Sequence, residues 1–244
     1  MRLIDSHVHL SDYPDPSLPV KWASSVGILL VSAGVGAESS ARTLSISAAS
    51  PAFVRTFVGL HPSEAEKEKT VGWVEECLGS ASGVGEIGLD PRYSEVSGTS
   101  LQMKLFEEQL SLAESCNKPV QVHSRGAERE CLEVLSTFRL PAVQLHWFQR
   151  NDLARAASER GYYTSFGPAL IISKKLQGMA AAWDIERVMA ESDGPVRFTP
   201  FGGANGPLLV PSVVFKLAQA IRSTFDEASR VVRGNSLRFL GEKA

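Results

Sequence analysis

Cysteine is scarce in this chain: Cys77, Cys116 and Cys131 are the only three among 244 residues, an odd number at wide spacing. That excludes a secreted disulfide framework, and without a Cys-x-x-Cys pair it argues against a dithiol redox centre too. Long apolar runs are also missing. The main uncharged apolar run, 26–37, falls well short of the ~20 residues of a membrane-spanning helix. The opening stretch MRLIDSHVHL puts a carboxylate and two histidines where an export signal needs unbroken apolar residues. A cytoplasmic protein is expected, with no membrane contact and no obligate protein partner. Charge of one sign is lacking as well, since 25 Lys+Arg oppose 27 Asp+Glu for a net charge of −2. No global positive field recruits a polyanion, so any nucleic acid has to be gripped locally. Neither a G-x-x-x-x-G-K-[ST] loop nor a G-x-G-x-x-G following a strand occurs, which disfavours a nucleotide cofactor.

What is present is an ordinary globular composition, 43% hydrophobic and 21% charged, with 20 Gly and 13 Pro to punctuate short elements. Eight short β-branched or apolar runs, near 3–7, 27–32, 55–59, 84–87, 119–122, 142–145, 162–165 and 187–190, alternate with helix-like stretches. Eight repeated βα units predict an α/β protein of a single (β/α)8 TIM-type barrel, one domain over 1–244. Leu101, Leu105, Phe106, Leu110, Leu112 and Ala113 form an apolar stripe, with Glu107, Glu108 and Glu114 towards water. Asn151 or Asp152 is expected to cap a later helix that Gly161 ends. The last helices, expected at 212–223 and 226–233, follow a Gly/Pro-rich stretch, 194–211. Its Phe198, Phe201 and Asn205 make a candidate binding loop, with an ordinary surface loop as the alternative.

Only five histidines occur, and His7, His9, His123 and His146 each fall at or one step beyond the C-terminal end of an expected strand. In a barrel those ends form one mouth, so residues distant in sequence converge there. Strand alternation places Asp5, His7 and His9 on a shared face. A lone His-x-His pair is more often an ordinary hydrogen-bonded pair, but the remaining residues reverse that balance. Glu86 interrupts an apolar strand, where an unpaired carboxylate costs several kcal/mol, and Asp193 follows the eighth run. A metal ion removes that penalty. Imidazoles and carboxylates without thiolates suit Zn or Mn, and Mg prefers more oxygen ligands. Six ligands exceed one open catalytic site, whereas two divalent ions sharing Glu86 use them all.

The segments Asp5-Ser6-His7-Val8-His9, Gly59-Leu60-His61-Pro62, Gly85-Glu86-Ile87-Gly88-Leu89-Asp90, Val122-His123-Ser124-Arg125 and Glu191-Ser192-Asp193-Gly194-Pro195 together resemble the TatD family of metal-dependent hydrolases. Gln102 to Ala113 and Asn235 to Phe239 extend the resemblance over nearly the whole chain. It implies one metal held by His7, His9, Glu86 and Asp193, and a second by Glu86, His123 and His146. It also implies hydrolysis of phosphodiester bonds in nucleic acid, as a DNase or exonuclease, with single-stranded DNA the leading substrate. The chain departs from the family pattern at Trp147-Phe148-Gln149-Arg150, at Asn205-Gly206-Pro207 and at Ser192.

A water activated by two divalent ions (Zn, Mn or Mg) would attack phosphorus, with Glu86 as bridge and Asp193 as proton acceptor. His61 is assigned to substrate contact rather than to metal. Arg125 is the leading phosphate contact, with Arg92 and Arg150 as alternatives, and either Trp147 or Phe148 offers a face for a base. The same chemistry on a carbonyl would make an ester or amide hydrolase, such as a D-aminoacyl-tRNA deacylase. A catalytically inactive binding barrel is the third reading.

Overall fold

A computed structural model describes residues 3–94, 99–198 and 203–243. Eight strands form one parallel sheet in sequence order: β1 (Ile4–Val8), β2 (Leu29–Ala33), β3 (Val54–Val58), β4 (Gly83–Gly88), β5 (Val120–His123), β6 (Val143–His146), β7 (Tyr163–Phe166) and β8 (Val188–Ala190). The expected (β/α)8 barrel is the observed fold. Most strands sit one residue off the expected positions, and β2 begins two residues later because Gly27 takes a left-handed turn before it. The seam between β8 and β1 is joined just beyond the strands, where the Asp193 N–H donates to His7 O (3.0 Å) and the His9 N–H to Gly194 O (2.7 Å).

Helices α1 (Ser17–Ser25), α2 (Ala37–Ala49), α3 (Ala65–Glu68), α4 (Gly72–Cys77), α5 (Ser100–Ser115), α6 (Glu128–Leu135), α7 (Asn151–Glu159), α8 (Lys174–Ala182), α9 (Val210–Ala220) and α10 (Phe225–Phe239) fill the connections. Their apolar faces and the outward strand residues make the main core, with Phe106, Leu110, Val122, Val214 and Leu217 fully buried. No single helix among the described residues is long and apolar enough to cross a membrane.

The stripe on α5 is less purely apolar than expected. Leu105, Phe106, Leu110 and Ala113 are buried, but so are Gln102 and Gln109, while Leu101 and Leu112 are only half-buried. Both glutamines hold loops that leave strands. Gln109 Oε1 accepts from the Leu60 N–H at 2.6 Å, and Gln102 Oε1 accepts from the Asp90 N–H at 3.0 Å. A buried amide satisfies a strand-exit backbone group where a leucine would leave it unpaired.

Other expectations shift. Arg150, rather than Asn151 or Asp152, occupies the N-cap of α7; it makes no side-chain capping bond, and its guanidinium pairs with Asp152 instead. Gly161 does end that helix with positive φ. Of the last two helices, α9 starts two residues before its expected position and ends three earlier, α10 runs six residues past its expected end, and the stretch before them holds a short hairpin, β9 (Arg197–Phe198) with β10 (Gly203–Ala204). Phe201 lies outside the described residues. Asn205 is buried and its backbone carbonyl accepts from Tyr13 Oη at 3.0 Å, which ties the loop to the segment after β1.

Candidate metal centre

His123 and His146 are the last residues of β5 and β6, paired in register across the ladder, and Glu86 lies within β4. His7 belongs to β1 and His9 follows it. Asp193 stands just past β8 with φ of 52°, a left-handed conformation that costs an ordinary residue energy and recurs at functional sites. Trp147, the residue after β6, has φ of 47°. Both strained residues sit at the mouth.

All six residues expected as ligands are brought together, five of them in one tight group. His7 Nε2 and His9 Nε2 are 3.1 Å apart, and each lies 3.4 Å from Glu86 Oε2. Asp193 Oδ1 is 3.9 Å from His7 Nε2, 3.6 Å from His9 Nε2 and 3.8 Å from His146 Nε2. The His146 ring stacks on His7 at 3.8 Å, whereas its centroid is 6.3 Å from that of His123. His146 therefore leans towards the His7 side, with Glu86 Oε1 at 3.9 Å. On the other side His123 Nδ1 meets Glu86 Oε1 at 2.9 Å.

Ring-nitrogen partners sort the histidines further. A carbonyl can only accept, so His9 Nδ1 donates to Ala33 O at 3.2 Å and its Nε2 faces the cluster. His146 Nδ1 bonds Glu191 Oε2 at 3.0 Å, again leaving Nε2 for the cluster. His61 is the opposite case. The Ser63 N–H donates into its Nδ1 at 3.1 Å, so the neutral ring carries its proton on Nε2, 3.8 Å from Glu86 Oε1. That makes His61 a donor facing the centre, although by distance alone His61, Glu86 and His123 would also pass as a metal triad.

The electrostatics suit cations. Burial pushes the Glu86 carboxyl up, but the charge on His146 and the hydrogen bond from His123 hold it well below the usual range; Asp193 is lowered by His146 and His9 despite burial. Burial opposes charge on His146 and His9, yet Glu191, Asp193 and Glu86 raise His146 to about 10, and Asp193 and Glu86 raise His9 to about 9. Burial lowers His61 to about 3, keeping it neutral. Without metal, protons on His9 and His146 offset the charge of the carboxylates. A divalent ion replaces such protons, and the converging Nε2 and carboxylate oxygens are the donor set it needs. His7 Nδ1 has no partner of its own. The residues therefore fit a metal.

Two carboxylates outside the six expected ligands back the imidazoles. Glu191 holds His146, and Asp90 Oδ2 lies 3.0 Å from His123 Nε2 while also pairing with Arg92. Glu191 sits two residues before Asp193, the spacing that could have revealed it. Asp5 departs from the shared face expected of it. The β1 register slips between Asp5 and Val8, and Asp5 turns to Ser192 at the seam instead of joining His7 and His9.

A cavity of about 350 Å³ opens over the cluster, lined by His9, His61, Glu86, His123, His146 and Asp193 together with Arg125, Trp147, Asp12 and Glu64. Arg125 has no carboxylate partner among the described residues, whereas Arg92 and Arg150 are engaged by Asp90 and Asp152. Phe148 is buried edge-on against Trp183, so of the two aromatic candidates only Trp147 reaches the cavity.

A parallel (β/α)8 barrel with a buried histidine–carboxylate cluster at its strand C-termini is the architecture of a metal-dependent hydrolase. The chain belongs to the TatD family: the sequence model described as TatD related DNase matches residues 4–241. It is 27% identical to an uncharacterized metal-dependent hydrolase of Haemophilus influenzae over 89% of this chain and 90% of that one. Human deoxyribonuclease TATDN3 is 26% identical, covering 97% and 93%. The 3'-5' ssDNA/RNA exonuclease TatD of Edwardsiella piscicida is 26% identical over 92% of each. The crystal structure of YJJV, a TatD homolog from Escherichia coli, superposes with a TM-score of 0.88 at 25% identity, covering 99% and 98%.

Proposed function

We propose that this metal-dependent hydrolase cleaves phosphodiester bonds in nucleic acid, with single-stranded DNA as preferred substrate, using two divalent ions. His7, His9, Glu86 and Asp193 would hold one ion, and Glu86 with His123 and His146 the other. The observation that carries the reading is the convergence of three imidazole Nε2 atoms with Glu86 and Asp193, beneath a cavity lined by Arg125, which has no carboxylate partner among the described residues. The names of the human and Edwardsiella relatives support the substrate class.

When bound, such ions lower the pKa of water towards neutrality and offset charge on a phosphate. The chain's own residues do the rest. Asp193, fixed by its N–H to His7 O, presents Oδ1 to the cavity and accepts the proton of the attacking water. His61 donates from Nε2 to a substrate oxygen, its tautomer set by the Ser63 N–H. Arg125 meets a phosphate with its planar fork, and Trp147 offers a face to a base.

The test is parallel. Protein stripped by chelator and resupplied with Mg, Mn or Zn is given labelled single-stranded DNA, duplex DNA, RNA and D-aminoacyl-tRNA. Metal-dependent shortening of single-stranded DNA, fastest of the four, is expected. Release of the amino acid alone, with every polynucleotide intact, overturns the reading in favour of ester hydrolysis.

A further inference from the structure

Asp5 is a fully buried carboxylate that no step above uses. Its Oδ1 accepts from the Ser192 N–H at 2.8 Å and its Oδ2 from Ser192 Oγ at 2.6 Å, while Ser192 Oγ accepts in turn from the Gly194 N–H at 3.2 Å. One carboxylate thus ties down the residues on both sides of Asp193. The crossing lies at the β1/β8 seam, where His7 O and the His9 N–H bond the same short turn. Three residues assigned to the first ion, His7, His9 and Asp193, straddle that seam, and the positive φ of Asp193 gives its turn reason to relax if released.

We propose that Asp5 is a positioning residue which, through Ser192, clasps the β1/β8 seam and fixes Asp193 against His7 and His9 for cation binding. This rests on the metal-ligand reading of those three residues. Asp5 is not itself placed in any candidate cluster; it lies behind the ligands and sets the geometry of the turn.

The experiment measures Mn and Zn binding by isothermal titration calorimetry, together with hydrogen exchange of the 190–194 segment, in the wild type, Asp5→Ala, Ser192→Ala and Ser192→Thr. Loss of a partner behind metal ligands typically weakens affinity ~10–100-fold, so Asp5→Ala is expected to lose one of two cations at concentrations that saturate the wild type. Ser192→Ala, which keeps the backbone bond, should weaken that cation about tenfold, at the lower end of the same range, and Ser192→Thr should restore it. Faster exchange of 190–194 accompanies each loss. An Asp5→Ala protein that melts lower yet binds both cations with unchanged affinity overturns the proposal, leaving Asp5 a purely structural group. If Asp5→Ala does not fold, equal affinities in Ser192→Ala and the wild type overturn it equally. Absence of cation binding by the wild type would instead refute the metal-ligand reading beneath it.

Discussion

Two buried polar groups of side chains sit close together in this barrel. The first joins Ser6, Gln121, Gln144 and Ser165. Gln121 Nε2 donates to Gln144 Oε1 at 2.9 Å and to Ser6 O at 2.7 Å, and Gln144 Nε2 donates to Ser165 Oγ at 2.9 Å. Among these, only Gln121 Oε1 lacks a partner. The second comes two residues further along β5 and β6, where His123 and His146 follow Gln121 and Gln144, and it is built from imidazole nitrogens and carboxylates aimed at one another. Amides bring donors and acceptors in equal number and can satisfy themselves. Neutral imidazoles and carboxylates bring a surplus of lone pairs, which only protons or a cation can settle. Polar burial alone does not mark a site; an acceptor surplus does.

The hardest test of that contrast is to remove an acceptor from the upper group. Glu86→Ala should abolish two-cation occupancy and cut turnover by several kcal/mol of transition-state stabilisation, ~10³-fold, read by single-turnover kinetics and metal stoichiometry. Asp193→Asn should lose turnover comparably while retaining a bound cation, because its amide oxygen remains a ligand but a poor proton acceptor. Full activity in either variant breaks the comparison at its functional end. Chelation comes next: with cation at a thousandfold excess over Kd, its removal should cost about 4 kcal/mol of stability, visible as a lower melting temperature.

The amide group should respond differently. Gln144→Ala removes an acceptor of Gln121 Nε2 and the donor to Ser165 Oγ, and should cost ~1–3 kcal/mol of stability without altering cation stoichiometry. Loss of a cation in that variant would show that the two groups are not separable. The smallest effect is expected at the rim. Arg125→Ala should raise KM and reduce the slope of log K against log salt by about 1, the signature of one phosphate contact, with cation binding intact.

Much of this was legible in the chain. The strands stand out because their apolar runs are short and several are bounded by Gly or Pro, and the histidines that end β5 and β6 fall where a barrel forms its mouth. Glu86 stood out as a carboxylate in an apolar strand. Other features were not legible. The neighbours of His146 depend on ring stacking with His7, which spacing does not encode. The choice between Trp147 and Phe148 turned on Trp183, 35 positions away from Phe148 in sequence, which supplies the packing that buries Phe148. Asp5 was expected beside His7 and His9, but a register slip in β1 sent it to the seam.

The order of polar and apolar residues by itself determined the eight strands, the end of the barrel that carries the chemistry and the set of candidate ligands, because strand burial and strand ends leave local patterns. Tertiary structure alone decided which nitrogen of each imidazole faces the centre, which arginine stays unpaired and which carboxylates stand behind the ligands. Each of those outcomes is fixed by a partner arriving from a different strand or loop, and no local stretch of sequence contains both halves of such a contact.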